Sequence, residues 1–165
     1  MLRGSSYTGG GGGGIGLPAS GVLKQSAIIS SVTGTTSETV LATIAIPAGT
    51  LGINGAIKLR AIWSTTATLG TWQPQVKLAG STMQNPGVQA NTNKFYWTEW
   101  IIYNRGVLNS QVRINAQSPN QPNTTAPSLQ SIDFSIAQNL TLTGTLSNAG
   151  DTMQLDAYTV EILNP

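Results

Sequence analysis

The sequence predicts an all-β protein: an antiparallel β-sandwich of jelly-roll type with an irregular, Gly-rich N-terminal arm. Three observations carry this. After Lys24 apolar and polar residues alternate in short runs, Gly, Pro and an Asn-Gly pair separate the runs, and no window holds a 3.6-residue apolar period. About eight or nine strands at such spacing favour a jelly roll over an immunoglobulin topology.

The strands follow in order. In "TVLATIAIP", Val40, Ala42, Ile44 and Ile46 are expected on one face, with Thr39, Leu41, Thr43 and Ala45 on the other. "PAGTLGING" supplies the residues a turn needs, and in "AIKLRAIW" Ile57, Leu59, Ala61 and Trp63 alternate with Lys58, Arg60 and Ile62. "TWQPQVKLA" reads as an edge or bulged strand, because Pro74 cannot donate to a ladder. "KFYWTEWIIY", "NSQVRINA", "SIDFSI" and "LTLTGTL" continue the pattern. In "TMQLDAYTVEIL" the apolar phase moves from Met153, Leu155 and Ala157 to Tyr158, Val160 and Ile162, which predicts a bulge near Asp156. The segments from Gly80 to Asn93 and from Gln117 to Gln130, rich in Asn, Gln, Pro and Thr, read as exposed loops suited to binding.

Residues 1–22 form the arm and residues 23–165 the sandwich domain. The run Gly9 to Gly14 loses more conformational entropy on ordering than other sequences, so the arm is either a flexible linker or a segment ordered by an outside surface. In the second case Leu2, Tyr7, Ile15 and Leu17 are its apolar anchors.

Composition narrows the function. The chain has no Cys and no His, which removes thiolate chemistry, the usual general base and the commonest metal ligand. Charged residues make up 8%, against about 25% in ordinary domains, so solubility rests on Thr, Ser, Asn and Gln. The net charge of +2 is scattered over eight cations, unlike the clustered charge that neutralises adjacent phosphates, and no nucleic-acid partner is expected. No apolar run is long enough to span a membrane, and Met1-Leu2-Arg3 leads into Gly and Ser, so cytoplasmic synthesis without membrane insertion is expected.

No catalytic set emerges, and neither an enzyme activity nor a cofactor is expected. Glu99, between Trp97 and Trp100, is the best candidate acid if apolar neighbours desolvate it, but pairing with Arg60, Arg105 or Arg113 is the stronger reading. Asp151 and Asp156 lack the ligand density of a calcium loop, and the glycine run lacks the lysine of a phosphate loop. The aromatic residues are more informative. If "KFYWTEW" is one strand, Phe95, Trp97 and Glu99 share a face with Ile101 and Tyr103, while Tyr96, Thr98 and Trp100 share the other with Ile102. One face fills the core and the other meets a subunit or a ligand, so Trp72, Phe95, Tyr96, Trp97 and Trp100 are interface or glycan candidates.

The wording of "TTSETVLATIAIPAGTLGINGAIKLRAIWSTT", "YNRGVLNSQVRINA" and "NLTLTGTLSNAGDTMQLDAYTVEIL" resembles small all-β virion proteins of tailed bacteriophages, of the capsid decoration, head-fibre or short tail-fibre type. The likeness runs from Val32 to Leu163. It implies a homotrimeric appendage on the virion surface, made in the bacterial host cytoplasm, with its arm on a capsid, tail or fibre protein. A host surface glycan is the alternative partner, which would make the chain an adhesin module.

Overall fold

The computed structural model describes residues 20–113 and 127–165, so the arm anchors Leu2, Tyr7, Ile15 and Leu17 lie outside the described residues. The described residues form eleven strands and no helix: β1 Gly21–Ser26, β2 Ser30–Val32, β3 Thr39–Ile46, β4 Ala56–Thr65, β5 Trp72–Leu78, β6 Ser81–Gln84, β7 Phe95–Asn104, β8 Gln111–Arg113, β9 Ser128–Gln130, β10 Gln138–Leu146 and β11 Met153–Leu163.

All pairings are antiparallel, in two sheets. The larger has the order β1-β11-β4-β7-β8-β9, with β2 also on β11, and the smaller has the order β3-β10-β5-β6. The first strands therefore lie beside the last and β3 beside the penultimate strand. This nesting is the strand order of a jelly roll, with β8 and β9 added beside β7. Between the sheets lies one apolar core, built around Trp63, Trp72, Trp100, Leu59, Leu78 and Leu140.

Register explains where simple alternation fails. In β11 the pairing with β4 shifts between Leu155 and Ala157, so Asp156 is the bulged residue, as the apolar phase change predicts. In β3 the pairing with β10 also shifts, leaving Leu41 as an extra residue between Val40 and Ala42. Leu41 is consequently buried with Ile44 and Ile46 while Val40 is exposed, which reverses the expected facing of Val40 and Leu41.

Pro74 also departs from expectation, because β5 lies inside the sheet between β10 and β6. The proline is accommodated because β6 pairs no further along β5 than Val76, opposite Gln84, so only Gly144 of β10 faces Pro74 in a ladder. Gly144 also leaves room for the core: a Cβ there would sit 2.7 Å from Met153 Sδ and 3.3 Å from Leu41 Cδ1, so a larger residue would require the Met153 side chain to move.

Other short elements escape the pattern. Gly21 and Val22 belong to β1, and two segments read as loops contain β6 and β9. "SIDFSI" is not a strand: Asp133 Oδ1 accepts the Ser135 N–H at 2.8 Å, and the resulting turn sends Ile132 and Phe134 into the core. In "NSQVRINA", Gln111–Arg113 is strand, and residues 114–116 lie outside the described residues.

On the outer face of the smaller sheet, Glu38 accepts from Lys77 Nζ at 2.6 Å and from Thr143 Oγ1 at 2.7 Å. The Lys77 bond, then the Thr143 bond, hold the Glu38 carboxyl below its ordinary value. Its folded state therefore prefers the carboxylate. The contribution is complete above the unfolded value near ~4.3 and is lost as pH falls through the lower folded value. Thermal midpoints of wild type and Glu38→Gln are expected to differ by a constant amount above about pH 5 and to converge as pH falls below the unfolded value and through the lower folded one.

Candidate functional site

The two ends of the sandwich are built from different loops. At one end the loops 33–38, 66–71, 85–94 and 147–152 meet. Gly34 N–H donates to Ala149 O at 2.9 Å, Asn91 Nδ2 to Thr68 O at 2.9 Å and Lys94 Nζ to Ala67 O at 2.5 Å. This end carries Asn91, Asn93 and Asn148 together with the exposed apolar side chains of Leu69 and Val88.

At the opposite end the loops 47–55, 105–110 and 131–137 meet, through Gly106 N–H to Ile53 O at 2.9 Å and Phe134 N–H to Leu108 O at 3.0 Å. Their tips expose Ile53, Val107 and Ile136. Ser20 and Asn164 meet here: Ser20 Oγ donates to Asn164 O and accepts the Asn164 N–H, both at 2.7 Å, while Asn164 Nδ2 donates to Thr50 O at 3.0 Å.

Strand β7 runs from the first of these ends to the second and is two-sided as expected. Thr98, Trp100 and Ile102 are buried, whereas Phe95, Trp97 and Tyr103 reach solvent. Cross-strand pairing builds rows on the outer face of the larger sheet: Trp97 with Ile62 and Ala157, Glu99 with Arg60 and Thr159, Ile101 with Lys58 and Glu161. The Trp97 row lies toward the end formed by loops 66–71 and 85–94. Between Trp97, which is 60% exposed, and β11 lies an open groove of about 290 Å³, lined by Trp97, Ile62, Ala157, Tyr158, Thr159 and Arg60. Ala157 follows the Asp156 bulge and puts a short side chain beside Ile62 in the lining of the groove.

Glu99 is not a protonated acid. Arg60 Nε contacts its Oε2 at 2.5 Å and Lys58 Nζ lies 3.4 Å away, and the Arg60 hydrogen bond foremost holds the carboxyl below its ordinary value. The reason lies in strand alternation: Trp100 turns to the core, so Glu99 faces cations on β4 instead of an indole on each side. Among the described residues no group of three or more acidic side chains could hold a metal ion.

The other aromatic candidates are placed as follows. Phe95 is exposed near the groove. Tyr96 is half-buried, its ring 6.0 Å from that of Trp63 and its hydroxyl accepting from Gln84 Nε2 at 3.2 Å. Trp72 and Trp100 are 1% exposed and belong to the core, so neither offers a ring face to a partner. They differ in one respect: Trp72 Nε1 donates to Asn93 O at 2.9 Å, while Trp100 Nε1 has no partner among the described residues. Trp72→Phe is therefore expected to destabilise by about 1 kcal/mol more than Trp100→Phe, measured by urea midpoints. Removing an unpaired buried N–H offsets part of the lost packing in the second variant.

Sequence reasoning missed Arg60, Ile62, Ala157 and Thr159 as site residues. One signal was present, since Ile62 occupies the solvent phase of β4 together with Lys58 and Arg60.

No protein-family model matches the chain, and no curated protein does. The crystal structure of dimeric latent PorU from Porphyromonas gingivalis is similar over 97% of this chain and 14% of that chain, at 14% identity and a TM-score of 0.39. So distant a likeness bears on neither partner nor activity.

Proposed function

We propose that this chain is a structural appendage of a bacteriophage virion, a capsid decoration or fibre-type protein displayed as a homotrimer and held by its N-terminal arm. The observation that carries this reading is the place of Ser20, the root of the proposed arm, which pairs with Asn164 at the end where Ile53, Val107 and Ile136 are exposed. Apolar loop tips beside the root add contact area to whatever the arm binds, and the opposite end is left pointing outward. The resemblance of Val32 to Leu163 to phage appendages supports the virion as the setting. The reading is non-enzymatic, with assembly on the virion surface after synthesis in the host cytoplasm.

The test is rebinding to virions that lack the protein. Full-length protein should rebind, a chain starting at Ser20 should not, and full-length Val107→Asp/Ile136→Asp should rebind weakly. Equal rebinding by all three overturns the attachment reading, and a monomeric mass by light scattering, free and on the particle, overturns the trimer.

A second reading, an adhesin module that holds a host surface glycan, is favoured by the Trp97 groove on the half of the sheet away from the arm's root.

A further inference from the structure

We infer that the groove between Trp97 and β11 binds one ring of a neutral saccharide, stacked on the Trp97 indole and hydrogen-bonded by the Arg60–Glu99 pair. This rests on the second reading above and gives it a ligand class and named residues.

Three features select that ligand. The first is an aromatic face in water: Trp97 is 60% exposed and Ile62 45% exposed on one side of a hollow floored by Ala157. A flat apolar surface beside a hollow suits a ligand that is apolar on one face and polar at its edges, as a pyranose is.

The second feature is a fixed donor beside a fixed acceptor. Arg60 spends Nε on Glu99, which leaves its two terminal nitrogens as donors, and Glu99 Oε1 accepts no bond among the described residues. A sugar hydroxyl both donates and accepts, and adjacent hydroxyls match such a pair. Each partner holds the other in place, so little side-chain freedom is lost on binding.

The third feature is charge balance. Lys58 and Arg60 are offset by Glu99 and Glu161 in the two rows beside the groove. An anionic ligand meets the carboxylates and a cationic one meets Arg60 and Lys58, whereas an uncharged polyol meets no net opposition. The volume of about 290 Å³ sits at the lower edge of the ~300–1,000 Å³ typical of small-ligand sites, which fits one ring. A single site of this kind is weak, and three copies on one appendage would multiply it.

The described tryptophans provide the readout, because Trp63, Trp72 and Trp100 are at most 1% exposed and Trp97 reports on solvent. Full-length protein is titrated with glucose, galactose, mannose, rhamnose and N-acetylglucosamine, with glucuronate as the charged control, following emission and acrylamide quenching. A glycan array widens the set.

At least one neutral sugar should shift the emission and protect Trp97 from acrylamide, with a dissociation constant of roughly 0.1–10 mM. Calorimetry should then find affinity weakened at least tenfold in Trp97→Ala and in Arg60→Ala, with thermal midpoints close to wild type because both side chains are exposed. Four results overturn the proposal: silence on both titration and array, unchanged affinity in Trp97→Ala, glucuronate binding more tightly than every neutral sugar, or a Trp97→Ala change in native mass showing that a second copy covers the groove. Isolated protein is used throughout, so loss of virion rebinding and loss of sugar binding are separate outcomes.

Discussion

Asp151→Ala is expected to cost about 3–5 kcal/mol and to lower the thermal midpoint by roughly 10 °C. Asp151 is 4% exposed, at the end where loops 66–71 and 147–152 meet. One carboxylate oxygen accepts the Thr68 N–H and the other the Gly70 N–H, both at 3.0 Å, while its backbone carbonyl accepts Thr33 Oγ1 at 3.0 Å. Alanine keeps the backbone bond and removes both carboxylate acceptors. Two backbone donors are then left short of partners, and a hydrogen bond to a charged group is worth ~1.5–3 kcal/mol.

The loop is closely packed at this point: a Cβ at Gly70 would lie 2.6 Å from Ser147 Oγ and 2.9 Å from Asn148 Cβ. Urea denaturation of Asp151→Ala gives the magnitude, and amide exchange at Thr68 and Gly70 should accelerate ahead of the core strands. A loss below about 1 kcal/mol would mean that water replaces the carboxylate without cost. Since Lys94 Nζ bonds Ala67 O and Thr65 N–H donates to Lys94 O, loosening this loop also loosens the entry to β7 and thus Phe95 and Trp97.

Gln111→Ala is expected to be of similar size, about 3–5 kcal/mol, with its effect at the opposite end. Gln111 is 1% exposed. Its Nε2 lies within hydrogen-bond distance of Asn104 Oδ1 at 3.1 Å, Leu108 O at 3.0 Å and Ile132 O at 2.9 Å, and its Oε1 accepts the Ile132 N–H at 2.9 Å. One amide thus ties β7, the 105–110 loop and the turn before β10 into a single unit. Truncation strands the Ile132 N–H and C=O in the interior, and each unsatisfied buried group costs ~1–3 kcal/mol.

Gln111→Glu separates volume from hydrogen bonding. It has nearly the same shape, yet it places a carboxylate among three oxygen acceptors, so it should be at least as damaging as alanine. If Gln111→Glu proved near neutral by urea denaturation, the network would not be what holds this end together. Both loop-tip residues Val107 and Ile136 sit on segments that this amide anchors, so Gln111→Ala should also weaken attachment to a virion on the proposed reading.

Much of this was legible in the residues. Period-two alternation located the long strands β3, β4, β7, β10 and β11, because which face a side chain takes is a local property of an extended backbone. The same property separated Phe95 and Trp97 from Trp100, and the phase change in "MQLDAYTV" marked the bulge at Asp156. Short polar strands such as β6 and β9 were not legible, since they exist to satisfy a neighbour's backbone and carry no apolar rhythm. "SIDFSI" misled for the opposite reason: alternate apolar residues can plug a core from a turn as well as from a strand.

The sequence by itself determined the class of fold, the two-sided aromatic strand, and the scarcity of charge that makes each ion pair conspicuous. Only the tertiary structure decided what those residues do. Glu99 meets Arg60 across 39 positions, Thr68 meets Asp151 across 83, and Ser20 meets Asn164 across 144. Such pairs arise from sheet register and from the nested order of the jelly roll, which folds the chain's beginning onto its end. Alternation says which way a side chain points, whereas its neighbours on that face come from strands remote in sequence. The groove at Trp97 is therefore a product of β4, β7 and β11 together and is written in none of them alone.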